Sequence, residues 1–318
     1  MNALETIREQ VREGGLLPAE GRVVAMLSGG RDSVCLLDVA VELCGARKVN
    51  ALHVNYRLRA ESDGDEAHCR ALCERLEVDL EVVRAERDPA SSGNLHAWAR
   101  DLRYEASAAL ADRHGALIAT GHTQTDQLET ILYRLAASPG RRALLGMSAR
   151  EDRLVRPLLG LTREQTAEYC IERGLAWRED DSNDNPTYAR ARVRNQLLPA
   201  LDAVHPSART NILRTAELLR QESELLDDLV EAELNGHDSI AVQRLAELPP
   251  ALARLVVIRL AERTAGVLVP QAGRRVSEIV QTSRRRSDFE LHVGGLASAE
   301  VKAGVLRMKR IDSRMGDA

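Results

Sequence analysis

"LSGGRDSVCLL", residues 27–37, follows the apolar run Val23 to Leu27 and leads into a helical pattern. Two glycines between Ser28 and Ser33 at a strand-to-helix junction read as a loop that cradles phosphate oxygens on backbone amides at a helix start. Asp32 is the odd member. A carboxylate beside polyphosphate is repelled, unless a hard cation such as Mg²⁺ lies between them or the Asp serves the chemistry. The Walker A pattern G-x-x-x-x-G-K-[ST] is absent, which disfavours an ordinary P-loop kinase.

Outward from this loop, strand candidates Val23 to Leu27, Val49 to Asn55, Leu80 to Arg84 and Ala116 to Thr120 alternate with helix candidates Asp32 to Cys44, Asp63 to Leu76 and Leu95 to His114. That alternation predicts an α/β fold, a Rossmann-like parallel sheet flanked by helices. Such a sheet binds ligands at the carboxyl ends of its strands. Three polar clusters fall there: Ser28 to Ser33, "HVNYRLR" at 53–59 and "TGHTQTDQLET" at 120–130.

The last cluster gathers His122, Asp126 and Glu129 into one loop and the first turns of a helix. Asp126 and Glu129, three apart, share a helix face, so the group suits metal binding or phosphate organisation. Thr123 with Asp126 also reads as a capping box, with Gln127 and Glu129 as an ordinary polar first turn. Further on, Thr162 with Gln165 opens a helix that ends at Gly174, after a short extended segment closed by Pro157. Arg190, Arg192 and Arg194 stand two apart, spread over about half a helix circumference, and cannot all pair with one carboxylate stripe.

The 318 residues exceed the usual size of one domain, and 44% hydrophobic content is ample for a core. We expect two domains, 1–206 and 207–318, the second a smaller α+β domain with a long acidic helix from Asn211 to Asn235 and short antiparallel strands near its end. The net charge of -4 excludes a uniformly basic surface. Charge is nevertheless segregated: residues 201–250 carry 4 Lys+Arg against 10 Asp+Glu, and residues 271–318 carry 10 against 6. No stretch approaches the roughly 18 apolar residues of a membrane span, and no signal-peptide pattern follows Met1, so the chain reads as cytoplasmic without a membrane partner. The five cysteines read as reduced core thiols rather than a zinc site, although Cys69 and Cys73 flank a helical turn beside His68.

The loop "SGGRDS" resembles the SGGxDS signature of the PP-loop ATP pyrophosphatases, which split ATP between its α and β phosphates. "HVNYRLR", "AWARDLRY" at 97–104, "ATGHTQTDQLET", "RPLL" at 156–159 and "DDSNDNPTYARARVRNQLLPAL" at 180–201 resemble, in that order, the tRNA(Ile)-lysidine synthetases, in their short form. Two departures stand out. The family commonly has HVNHGLR where this chain has Tyr56 and Arg57, and a Gly-Ser-Gly run where this chain has Ala136 to Arg142.

The resemblance implies a ligase that adenylates carbon 2 of the wobble cytidine in a CAU-anticodon isoleucine tRNA and lets free L-lysine displace AMP. It implies ATP and Mg²⁺ as cofactors, with Asp32, His122, Asp126 and Glu129 on the catalytic face and Asp32 and Asp126 as the metal carboxylates. Ser28, Gly29, Gly30, Arg31, Asp32 and Ser33 would hold ATP, with Arg100 and Arg103 reaching phosphates. Arg190, Arg192, Arg194 and Asn195 are assigned to tRNA, with the basic tail, including Arg284 to Arg286, on more distant backbone. Aromatics make up only 3% of the chain, which leaves Tyr56, Trp98, Trp177 and Tyr188 as stacking platforms for bases. The sequence is compatible with a homodimer without fixing the oligomeric state, and it does not identify the base for the lysine amine. A tRNA-thiolating or ammonia-dependent amidating PP-loop enzyme is the alternative; no CxxC is present to serve the former.

Overall fold

The structure is a computed structural model and describes residues 3–58, 60–86, 94–137, 140–179 and 189–311. The chain forms two compact units, Met1–Glu217 and Leu218–Ala318. The division falls further along than residue 206, inside the long helix that the sequence places at the start of the second domain.

In the first unit, α1 (Ala3–Glu13) precedes β1 (Arg22–Met26), α2 (Arg31–Cys44), β2 (Val49–Asn55), α3 (Ser62–Arg75), β3 (Asp79–Arg84), α4 (Leu95–His114) and β4 (Ala116–Ala119). Next come α5 (Gln124–Ala137), α6 (Arg141–Leu144), β5 (Arg150–Glu151), β6 (Leu154–Val155), α7 (Arg163–Glu172), α8 (Ala189–Arg192) and α9 (Leu198–Val204). The sheet runs β3-β2-β1-β4-β6-β5, parallel except for β5, which pairs antiparallel with β6. Strand β6 is the short extended segment expected before Pro157, while β5, which pairs with it, goes beyond the sequence reading. Helix α1 was not anticipated either; Ile7 and Val11 seat it in the core.

Alternation along β1 explains why both sheet faces are covered. Val23 and Ala25 join the core made with α1, α2, α3 and α7, while Val24 and Met26 join Leu110 and Ala111 of α4 on the opposite face. Successive strand side chains point to opposite faces, so an unbroken apolar strand such as "VVAM" needs two apolar covers. Adjacent strands β1 and β4 are far apart in sequence, which makes the crevice beyond their carboxyl ends the switch point of the sheet.

Helix α7 begins as its sequence dictates. Thr162 accepts from the Gln165 amide while the Gln165 side chain accepts from the Thr162 amide, a complete capping box. Between α8 and α9 the backbone widens into a π-helical turn over Val193–Leu197. Such turns are rare and redirect neighbouring side chains. Here Val193 and Leu198 point into a small core with Leu128 and Leu132 of α5.

Helix α10 (Ala208–Leu234) crosses the division between the units. The second unit continues with β7 (Ser239–Ala241), α11 (Val242–Glu247), α12 (Pro250–Ala265), α13 (Val276–Ser283), β8 (Phe289–Gly294), β9 (Ala297–Lys302) and β10 (Val305–Arg310). Its antiparallel sheet runs β7-β10-β9-β8. Val256, Val257 and Leu260 of α12 pack with Ala299, Val301 and Leu306 of the sheet. Among the described residues, no helix is long and apolar enough to cross a membrane.

Candidate active site

The loop between β1 and α2 is folded around its own two hydroxyls. Ser33 Oγ donates to the Gly30 carbonyl at 2.7 Å, Ser28 Oγ lies 3.1 Å from Ser33 Oγ, and the Ser28 amide donates to Ser33 Oγ at 3.2 Å. Gly29 has φ +87°, a region that favours glycine, and a Cβ there would lie 3.3 Å from Cys69 Sγ. Gly30 caps α2 with no side-chain hydrogen bond, so the helix start keeps amides for an anionic ligand. Behind the loop, the Arg178 amide donates to the Gly29 carbonyl at 2.9 Å and Arg178 Nε pairs with Asp65 at 2.5 Å.

Asp32 is tightly engaged. Its Oδ1 accepts from Thr166 Oγ1 at 2.5 Å and from Arg31 Nε at 3.4 Å, and Arg163 Nε lies 3.5 Å from Oδ2. The segment after β4 closes on the same helix start, since a Cβ on Gly121 would stand 2.9 Å from the Asp32 carbonyl oxygen. Only glycine lets the two backbones approach this closely. His122 is therefore brought beside the beginning of α2.

His122 Nδ1 is 2.8 Å from Thr120 Oγ1. Burial pushes the imidazole down to about 4, Asp126 opposes that, and the cations of Arg156, Arg103 and Arg100 add to it. Asp126 Oδ2 accepts from both the Thr123 amide and Thr123 Oγ1 at 2.8 Å. The carboxylate thus caps α5, as the Thr123 to Asp126 spacing suggests. Glu129, 2% exposed, accepts from Arg194 Nε at 2.6 Å. Burial raises its pKa above the ordinary carboxylate range, and Arg194 restrains the rise.

A basic wall faces this group. Arg100 stacks over the Tyr104 ring at 4.6 Å and Arg103 at 5.8 Å, and Arg156 donates to the Ser148 carbonyl at 2.6 Å and to Glu151 at 3.1 Å. The Nε atoms of Arg103 and Arg156 are buried and have no hydrogen-bond partner among the described residues. Burial lowers the pKa of Arg134, and the like charges of Arg190, Arg156 and Arg100 lower it further. Cations crowded in this way favour an anionic ligand.

The anticipated residues thus divide. The loop residues, Asp32 and His122 meet at one strand-end crevice, with Asp126 and Glu129 on the adjoining helix. Arg194 turns inward to Glu129, whereas Arg190, Arg192 and Asn195 lie on the exposed side of their segment. The stacking platforms fare differently: Trp98 and Tyr56 pack edge to face with each other at 6.0 Å, and Trp177 packs against the main core. Tyr188 lies outside the described residues, as does much of the acidic part of the 180–201 motif. Gly121, Arg163 and Thr166 were not anticipated, because each acts through a partner distant in sequence; Arg156 stood in a quoted motif without a role.

The PP-loop domain family matches residues 4–201. Similar proteins include the tRNA(Ile)-lysidine synthase of Gloeobacter violaceus, 34% identical over 268 residues, which cover 80% of this chain and 81% of that protein. The chain belongs to the tRNA(Ile)-lysidine synthase family. The member from Pseudomonas fluorescens is 38% identical over 214 residues, 65% of this chain and 48% of that protein. The chain thus spans about half the length of several family members it matches, including that one and those at 57% and 46%. Among solved structures, the U34-tRNA thiolase NcsA from Methanococcus maripaludis, with its [4Fe-4S] cluster, superposes with a TM-score of 0.58. At 18% identity, covering 69% of this chain and 79% of that one, it shares the fold with this family member.

Proposed function

We propose that the protein is a tRNA(Ile)-lysidine synthetase. In the first step the wobble cytidine O2 attacks the α-phosphorus of ATP; the O–P bond forms and the bond to the β-phosphate breaks, releasing pyrophosphate. In the second, the amine of free lysine attacks carbon 2, the C–O bond breaks, AMP leaves with its electron pair, and the amine gives up its proton. The observation that carries this reading is the convergence of an uncapped, hydroxyl-braced SGGRDS loop with His122 and the arginine wall at the switch point.

In this reading the amides left open at the start of α2 brace the phosphates, those of Ser28, Gly30 and Ser33 being used within the loop, and Arg100 and Arg103 add positive charge where pyrophosphate departs. His122 is neutral near pH 7, and burial and the surrounding arginines disfavour its protonation, which suits a hydrogen-bonding rather than a proton-accepting role. Asp126 is the carboxylate that orients the lysine or shares the metal, and Glu129 lies behind it, held by Arg194. Arg190, Arg192 and Asn195 contact the anticodon arm, with Arg194 turned away from it to hold Glu129, the Leu218–Ala318 unit grips more distant tRNA backbone, and the enzyme works as a homodimer in the cytoplasm.

Mg²⁺ fits the donor chemistry, since Asp32 and Asp126 supply hard carboxylate oxygens. No group of three or more His, Cys, Asp or Glu suited to a metal occurs among the described residues, so His122, Asp126 and Glu129 do not form the metal cluster that their spacing allows. Asp32 and Asp126 would hold Mg²⁺, and it would offset charge on the phosphates.

Thiolation is less well supported. Cys69 and Cys73 are buried, and burial pushes both thiols up to about 12, so neither is a thiolate at neutral pH. Pyrophosphate release tests the activation step. It should require both ATP and unmodified CAU-anticodon isoleucine tRNA, and release that ignored the tRNA would argue against cytidine activation.

A further inference from the structure

Helix α7 meets α2 along a polar seam that runs away from the loop. At its far end Asp38, fully buried, accepts from Tyr169 Oη at 2.7 Å and from Arg173 at 2.8 and 3.0 Å. Arg173 also reaches Glu42 at 2.6 Å. Cys35 and Cys170, both fully buried, interact midway. At the near end Thr166, also fully buried, donates to Asp32 Oδ1 at 2.5 Å. Asp32, Cys35, Asp38 and Glu42 lie on one face of α2, and Thr166 and Cys170 on one face of α7 with Arg173 at its C-cap, at the spacings that align side chains along a helix.

A buried carboxylate held by a guanidinium fork and a phenol is costly to move, because breaking such a set strands a charge. The Asp38 clamp therefore fixes α7 against α2 and with it the height of Thr166. Thr166 Oγ1 also lies 2.9 Å from the Arg163 carbonyl in its own helix. A hydroxyl has one proton to give, and the carboxylate is the stronger acceptor. Directing that proton to Oδ1 defines one rotamer of Asp32 and leaves Oδ2 toward Arg163, which lies 3.5 Å away.

We propose that Thr166 is a positioning residue for Asp32, holding Oδ1 so that Oδ2 is presented to the cation that accompanies ATP. This rests on reading the loop as an ATP site, and deepens it by tying the metal-facing carboxylate to a helix that carries none of the loop residues.

The test is equilibrium binding of a non-hydrolysable ATP analogue to the full-length protein, with Mg²⁺ and with EDTA, for wild type, Thr166→Val and Thr166→Ser. Valine preserves the shape of threonine and removes the hydroxyl. Thr166→Val should bind about tenfold more weakly in Mg²⁺, as expected for loss of one hydrogen bond to a charged group, with affinity in EDTA unchanged. Thr166→Ser should restore binding to within about twofold. Thr166→Ala supplies the same comparison should the valine variant not fold. Equal affinity of wild type and Thr166→Val in Mg²⁺, an equal loss with and without Mg²⁺, or failure of serine to restore binding would each overturn the proposal. Wild-type protein that bound no nucleotide under either condition would instead overturn the ATP-site reading on which it rests.

Discussion

The carboxylate of Glu129 and the guanidinium of Arg194 meet at 2.6 Å, with Glu129 only 3% exposed at its side chain. One lies on α5 and the other on the π-helical turn, so the pair ties the strand-end crevice to the arginine-rich segment.

Removing one partner of such a pair strands the other. Arg194→Ala should cost about 3 kcal/mol at pH 8, and Glu129→Gln in the same chain should recover most of it. Glu129 already titrates above its ordinary range, and losing Arg194 raises it further. The folded state then holds its proton more tightly than the unfolded chain, so the deficit should shrink as pH falls toward 5. Denaturant midpoints at the two pH values check this.

His122 titrates at about 4 in the folded protein, against an ordinary value of 6.5. Between those values the unfolded chain binds the proton and the folded chain resists it, so this residue withdraws stability as pH falls from 6.5 to 4. His122→Asn should remove roughly 2 kcal/mol of that acid sensitivity, read from denaturation curves at pH 7 and pH 4.5. An imidazole resonance that titrated near 6.5 in the native protein would contradict the burial argument.

Gly121→Ala places a methyl carbon 2.9 Å from the Asp32 carbonyl oxygen, where backbone must shift. Affinity for ATP should fall at least about tenfold, because the helix start is displaced from its phosphate-binding position. Gly160→Ala is the control: its Cβ meets only the end of the Gln10 side chain at 3.1 Å, so ATP binding should be unchanged.

The loop and the helix starts were legible because their signals are local. SGGRDS places its turn, its hydroxyls and its helix within a few residues, and the Thr162 to Gln165 capping box starts α7 where the spacing says. Contacts set by the tertiary fold were not legible. Thr166 and Asp32 are 134 residues apart, and nothing around "EQTAEY" announces a carboxylate partner. The aromatic residues show the same limit in reverse: Tyr56 and Trp98 look available for bases in the sequence and are spent on each other in the fold. Charge spacing alone did not reveal that Arg194 turns inward, because the π-helical turn changes the angular step between it and Arg190.

Glu66 is a further pH-dependent element of the same sheet end. Hydrogen bonds from Arg84, and then from Asn55 and Arg70, hold its carboxyl down at about 2 against the opposing effect of burial. The stabilisation is present above pH 4.5 and lost as pH falls toward 2. Both arginines are about half exposed, 52% and 53%, so Glu66→Gln should cost only about 1–2 kcal/mol at pH 7. The difference from wild type should vanish near pH 2, which paired urea titrations would show.

In the proposed reaction the loop around Asp32 activates a cytidine for attack by lysine. The decisive experiment is incorporation of labelled free lysine into unmodified CAU-anticodon isoleucine tRNA, with and without ATP and with Asp32→Ala as control. The wild type should incorporate lysine only with ATP, and the variant should not incorporate it. Pyrophosphate release with this tRNA but no lysine incorporated would rule out lysine as the nucleophile and point to a different one.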